Sequence, residues 1–157
     1  MISLKQKSKG FTIVELLIVI VVIAILATLV IVTFTGIQQK ARDSKRQTDI
    51  DALDSHLEAF YANNGYYPTI TDLVTAGAPN TSWLNTNMAG FDPTALTDPK
   101  GSIITGNAPA AGTYVYSYVT TGCTTSQPSS STNECTGFVL TAELEGSTTA
   151  FVKQSNT

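Results

Sequence analysis

The side chains able to do chemistry in this chain are few. There is one histidine, His56, and there are two cysteines, Cys123 and Cys135. His56 stands two residues from Asp54 in a helix-forming stretch, and no glycine-rich phosphate loop or nucleophile elbow accompanies it. It reads as a solvent-facing helix residue, and the chain is not expected to be an enzyme. A zinc site needs more cysteine and histidine ligands than the chain supplies. Cys123 and Cys135 read instead as one disulfide closing a short loop, which places the C-terminal region outside the cytoplasm. Glu15 is the residue that stands out. It is the one charge between Phe11 and Phe34, near the start of a run otherwise fit for lipid. A charge deep in a membrane helix costs about 2.5–3.5 kcal/mol on insertion scales, so it is normally paired or functional.

The element that must position Glu15 is a membrane-length helix. From Leu16 to Phe34 there are nineteen residues whose only polar side chains are Thr28 and Thr33. At about 1.5 Å rise per residue the run approaches a hydrocarbon core of about 30 Å, and residues 11–15 add margin. It is too long for the apolar part of a cleaved secretory signal. The small residues of "AILA" (24–27) are followed by "TLVIVTF" with no polar break. A plain signal anchor that is never cut fits better and stands as a rival. Lys5, Lys7 and Lys9 precede the helix while Lys40, Arg42, Lys45 and Arg46 follow it, so the positive-inside rule chooses no orientation. Formal net charge is −3, and −6 without the first three lysines, which speaks against a nucleic-acid site recognised through bulk charge.

No proline interrupts the chain between Phe34 and Pro68, so the helix can continue past Gly36. Ile50, Leu53, Leu57 and Phe60/Tyr61 fall three or four apart and form one apolar stripe, away from Asp51, Asp54 and Glu58. "NNGYYP" then supplies a stop. One helix over roughly residues 11–62, about 80 Å long, is expected. Its residues 11–36 form the membrane part and 37–62 the amphipathic part, with a water-exposed polar neck over Gln38–Asp49. Strands are expected at Thr113–Val119, Gly137–Leu144 and Thr148–Lys153. Tyr114, Tyr116 and Tyr118 alternate onto one face, and Glu145–Ser147 reads as a hairpin turn. Trp83 and Leu84 read as core anchors, and Asn80-Thr81-Ser82 matches an N-glycosylation pattern that is common by chance. The fold class is therefore α+β: a long N-terminal helix whose second half packs on a small C-terminal antiparallel sheet. Residues 63–157 form the β-rich globular part. Within it, ten of the seventeen residues at 120–136 are Ser or Thr, a loop composition that builds no core.

The N-terminal residues "KGFTIVELLIVIVVIAILA" resemble the start of type IV prepilins and the related pseudopilins. The shared features are a short basic leader ending in Gly, then Phe, then Glu five residues into an apolar helix. The resemblance implies that a prepilin peptidase cuts between Gly10 and Phe11 and that Phe11 is N-methylated on its new amine. Leader residues 1–10 stay cytoplasmic, and the sheet domain lies outside. It further implies that Glu15 pairs with the Phe11 amine of the same or an adjacent subunit once helices bundle, so that the pair selects register. "HLEAFYANNGYYPT", and "LTDPKG" followed by "YVYSY", are similar to later segments of that family. Asp98-Pro99-Lys100-Gly101 reads as a turn. Some pseudopilins bind calcium near such loops, and Asp92 and Asp98 are the acids available here; no other cofactor is expected. Many pilins carry a proline where this chain has Val32, which leaves open whether the helix melts around Val32–Gly36.

The expected function follows from that resemblance. The chain reads as a type IV pilin-like structural subunit held in the cytoplasmic membrane with its N-terminus inside. It is then polymerised into an extracellular filament for adhesion, motility or uptake. The expected partners are the prepilin peptidase/methyltransferase, copies of itself and other pilins, and a membrane assembly platform. A pseudopilin of a type II secretion system is the alternative, and a signal-anchored binding domain that never polymerises is the rival of another class. Between subunits, the basic neck (Lys40, Arg42, Lys45, Arg46) could meet the acidic segment (Asp49, Asp51, Asp54, Glu58) of a neighbour displaced by about 15 Å; a solvated helix face is the plainer reading.

Overall fold

The structure is a computed structural model and describes residues 10–110, 112–123 and 134–156. In chain order its elements are α1 (Ile13–Asn64), α2 (Ile70–Leu73), β1 (Val74–Thr75), β2 (Ala78–Pro79), α3 (Thr81–Asn87), a 3-10 turn (Pro93–Leu96), β3 (Tyr116–Thr121), β4 (Gly137–Ala142) and β5 (Phe151–Gln154). The architecture is the expected α+β one. Two compact units divide after Gln38, and α1 contributes residues to both.

In the first unit α1 is apolar all round, and its large side chains from Ile13 to Ile37 are exposed. Among the described residues it is the one helix long and apolar enough to cross a membrane. Thr28 and Thr33 donate their hydroxyls to the Ile25 and Leu29 carbonyls at 2.7 and 2.9 Å, so neither hydroxyl needs water.

The second unit is built on the remainder of α1. Ile50, Leu53, Leu57 and Phe60 are buried, as their three- and four-residue spacing requires. The helix runs to Asn64, where Gly65 takes a φ of 80° and donates its N–H to the Tyr61 carbonyl at 2.7 Å. Glycine adopts that left-handed closure without the steric cost of a Cβ. The sheet has order β3-β4-β5 and is antiparallel throughout. Tyr116, Tyr118, Phe138, Leu140 and Ala142 alternate along β3 and β4 and join the α1 stripe in one core. Polar ties reinforce it: Tyr116 donates its hydroxyl to Asp49 at 2.9 Å and Tyr67 donates to Glu58 at 3.1 Å.

Several expected boundaries are corrected. β3 begins at Tyr116, three residues later than expected, because Thr113 and Val115 close local turns; Tyr114 leaves the sheet and places its ring 3.7 Å from Lys100 Nζ. β4 ends at Ala142, and β5 is Phe151–Gln154. Residues 143–150 are no tight hairpin, since Glu145 and Gly146 are bound to α1. The region before β3 also holds more structure than turns alone. β1 and β2 form a hairpin turned by Ala76 and Gly77, both with positive φ, and Asn80 caps α3 by accepting the Trp83 N–H at 3.3 Å. Leu84 is buried, and Trp83 packs beside Phe60.

The largest correction concerns the polar neck. Arg46 is fully buried and Asp49 nearly so. The buried face of α1 starts with the polar residues Arg42, Arg46 and Asp49 and only then turns apolar at Ile50, on one continuous helical spacing. Arg46 binds Asp98 in bidentate fashion (Nε to Oδ2 2.6 Å, Nη2 to Oδ1 3.2 Å), Asp43 at 2.7 Å and Glu145 at 3.0 Å. Arg42 makes a second bidentate pair with Glu145 at 2.7 and 2.8 Å. The Glu145 and Gly146 N–H groups both donate to the Asp43 carboxylate at 2.8 Å. One guanidinium thereby fixes the 98–101 turn and the β4–β5 connection to the helix. Removing one partner of such a cluster leaves uncompensated buried charge, so Arg46→Ala should lose about 3–5 kcal/mol of unfolding free energy. Denaturant unfolding of the detergent-solubilised chain measures this; a loss below about 1 kcal/mol, the level of an exposed pair, contradicts it.

Candidate functional site

The N-terminal constellation is arranged around the first turn of α1. Gly10 and Phe11 are exposed, non-helical backbone, and residues 1–9 of the expected leader lie outside the described residues. Thr12 occupies the helix N-cap and Glu15 the third helical position. The Thr12 N–H and hydroxyl both donate to Glu15 Oε2, at 2.8 and 2.7 Å, and the Glu15 N–H donates back to Thr12 Oγ1 at 3.2 Å. This is a capping box: each residue satisfies a donor that the helix start would otherwise leave open. The pattern Thr12-Ile13-Val14-Glu15 ahead of an apolar run is its sequence signal. The charge of Glu15 in an apolar run obscures that signal. Among the described residues a Cβ placed on Gly10 meets nothing within 4 Å, so packing against them does not require that glycine.

The charged residues of the neck lie in the second unit, and most are bound within the chain. Besides Arg42 and Arg46, Lys45 holds Asp49 at 2.8 Å. Lys40 alone of the four cations is exposed with no ion pair among the described residues. Among the acids, Asp49 is shared by Lys45 and Tyr116, Asp51 pairs with Lys153 at 2.9 Å, and Glu58 accepts from Tyr67 and from the Asn156 N–H. Asp54 stands 4.0 Å from Lys153, and its buried Oδ1 has no hydrogen-bond partner among the described residues. Burial pushes the Asp54 pKa up, against the pull of Lys153. Burial also disfavours the charge on Arg46, but its hydrogen bonds to Asp98, Glu145 and Asp43 prevail and hold its pKa above the ordinary value. The Arg42 hydrogen bonds are the main reason that Glu145 is held at about 2, with Arg46 and Lys100 adding to them.

Cys123 and Cys135 are joined in a disulfide, and the Tyr67 N–H donates to the Cys135 carbonyl at 2.9 Å, which fastens the bridge beside the chain leaving α1. Most of the Ser/Thr-rich loop it closes, 124–133, lies outside the described residues. The two acids considered for calcium have other roles here. Asp98 gives both oxygens to Arg46, and Asp92 caps the 3-10 turn by accepting from the Thr94 N–H and hydroxyl at 2.9 and 2.8 Å. Asp98-Pro99-Lys100-Gly101 is a turn, with Gly101 N–H bonded to the Asp98 carbonyl at 2.7 Å. His56 is half-buried rather than solvent-facing, edge-on to Phe91 at 5.3 Å.

The family model described as a prokaryotic N-terminal methylation motif matches residues 5–31. Type II secretion system core protein G of Escherichia coli (strain K12) is 35% identical over 101 residues, spanning 62% of this chain and 70% of that protein. The chain belongs to the type IV pilin-like family that includes the pseudopilins. Type II secretion system core protein G of Klebsiella pneumoniae is 33% identical over 101 residues, 62% of this pilin-like chain and 72% of the relative. Type IV major pilin protein PilA of Myxococcus xanthus (strain DK1622) is 33% identical over 61 residues, 39% of this chain and 28% of that protein. No solved structure matches the chain.

Glu145 provides a pH test of the neck cluster. Its folded pKa of about 2 lies below the ordinary carboxylate value of about 4.3. The stability it contributes is therefore present above that ordinary value and is lost as pH falls towards 2. Thermal unfolding of the pilin-like chain should weaken over that window more steeply than in Glu145→Gln; parallel pH profiles for the two would contradict the assignment.

Proposed function

We propose that this chain is the structural subunit of an extracellular filament, cut between Gly10 and Phe11, N-methylated on Phe11, and polymerised through Leu16–Phe34. The observation that carries the reading is the exposed apolar surface of α1 from Ile13 to Ile37, interrupted by the single charge of Glu15. Such a surface requires lipid or other apolar helices around it; in this reading a membrane serves before assembly and sister helices after it, and family membership supports that order. Among the described residues nothing lies within 4 Å of a Cβ placed on Gly10, which fits a glycine read from outside by a processing enzyme. Within a bundle of such helices the Glu15 carboxylate meets a new amine at Phe11, and pairing them avoids an uncompensated charge in apolar surroundings.

A secretion pseudopilus is the second reading. The core protein G relatives of Escherichia coli and Klebsiella pneumoniae, which this chain covers to 70 and 72% of their length, favour it. The disulfide beside a Ser/Thr-rich segment favours a surface filament, where exposed loops face the medium. Long filaments sheared from cells and containing this chain support the pilus; its presence only in short, envelope-bound assemblies supports the pseudopilus.

The common core of both readings is tested by Glu15→Ala. The variant should insert and lose its leader as the parent does, yet enter filaments about tenfold less, the equivalent of roughly 1.4 kcal/mol. Quantifying sheared against membrane-bound chain measures this, and equal incorporation would sink the pairing.

A further inference from the structure

Glu15 is held before any amine exists. In the chain with its leader attached, the Phe11 nitrogen is an amide, yet the Glu15 carboxylate already has two donors on a single oxygen. Both come from Thr12 and both end on Oε2, while Oε1 carries no hydrogen bond among the described residues. The Leu16 N–H bonds to the Thr12 carbonyl at 3.2 Å, so Thr12 also opens the backbone ladder of α1.

We propose that Thr12 is the positioning residue for Glu15: it ties Oε2 to the helix start and leaves Oε1 as the oxygen presented to the Phe11 amine. The inference rests on the filament reading given above. Two consequences follow from the geometry. Before cleavage, the Thr12 donors partly replace water around a carboxylate at the edge of an apolar helix, where an unbonded charge is costly. After cleavage, a carboxylate already fixed in one rotamer loses little side-chain freedom when it meets the amine, and such preorganisation strengthens the contact. Oε2 need not be vacated for this to happen. Cap and ion pair use different oxygens and can coexist in the filament.

A hydroxyl that acts through a carboxylate makes no difference once the carboxylate is changed, and that separates positioning from simple helix capping. The test uses the full chain with its leader, co-expressed with the parent so that partial incorporation into mixed filaments is counted by mass spectrometry. Thr12→Val keeps size and β-branching but removes the hydroxyl; it should be cut normally and incorporate about five- to tenfold less. Thr12→Ser should come within about twofold of the parent, as a cap that retains the donor. Thr12→Gly, which keeps most of the cap but has no hydroxyl, should be as poor as Thr12→Val. In a Glu15→Gln background, Thr12→Val should add no further loss. Parent-level incorporation of Thr12→Val, equal behaviour of Gly and Ser, or an undiminished Thr12→Val effect in the Glu15→Gln background overturns the proposal. If the parent itself is never cut at Gly10, or never enters filaments, the filament reading fails and this inference fails with it.

Discussion

A guanidinium with no access to water must have its charge answered by the chain around it, and the globular unit is organised around that requirement. Arg46 draws Asp43 from its own helix, Asp98 from the turn before β3, and Glu145 from the β4–β5 connection. Each of those carboxylates is itself tied further. Asp43 accepts two backbone N–H groups, Asp98 accepts the Lys100 N–H, and Glu145 holds Arg42 and Lys100. A buried cluster of this kind is weak evidence for stability in itself, since apolar residues of similar volume often do as well. Its geometric consequence is specific. It leaves one position on α1 where the 98–101 turn and the β4–β5 connection can both dock.

That cluster changes how the charges of the neck bear on assembly. A basic segment followed by an acidic one suggests complementary bands between staggered neighbours. Three of the four cations are already committed inside the subunit, so sign alone overstates what the neck offers to a partner. The first unit of α1 shows the opposite economy. Its side chains are almost all apolar, its threonines bond to their own backbone, and its one carboxylate is bonded to the helix cap. Polar requirements there are met locally, which suits a segment surrounded by apolar material.

What the sequence discloses divides along the same line. The apolar run, Glu15, the stripe from Ile50 to Phe60 and the glycine stop are local patterns, and local patterns can be read. The three strands of the antiparallel sheet are legible from their β-branched and aromatic residues, whereas the β3–β4 register across the Ser/Thr-rich segment is not. Arg46 was not legible, because a basic residue on a helix is usually solvated, and its burial depends on Asp98, 52 residues away. The same is true of Arg42, whose partner Glu145 lies 103 residues on, and whose pairing turned an expected hairpin into a longer connection. Composition and alternation both place Tyr114 in a strand; its ring goes instead to Lys100 and to Arg46, 3.7 and 4.9 Å away. The capping box at Thr12 has a local signal, Thr three residues before Glu, but the charge of Glu15 in an apolar run masks its place in the first helical turn.

The central claim is that a subunit of this family is released from its leader at Gly10 and then built into a filament through the apolar part of α1. N-terminal mass spectrometry of filaments sheared from cells expressing the chain addresses it most directly. The account predicts a filament-bound chain that begins at Phe11 and carries a methylated amine. A chain that begins at Met1, stays in the membrane and is missing from every filament would contradict it.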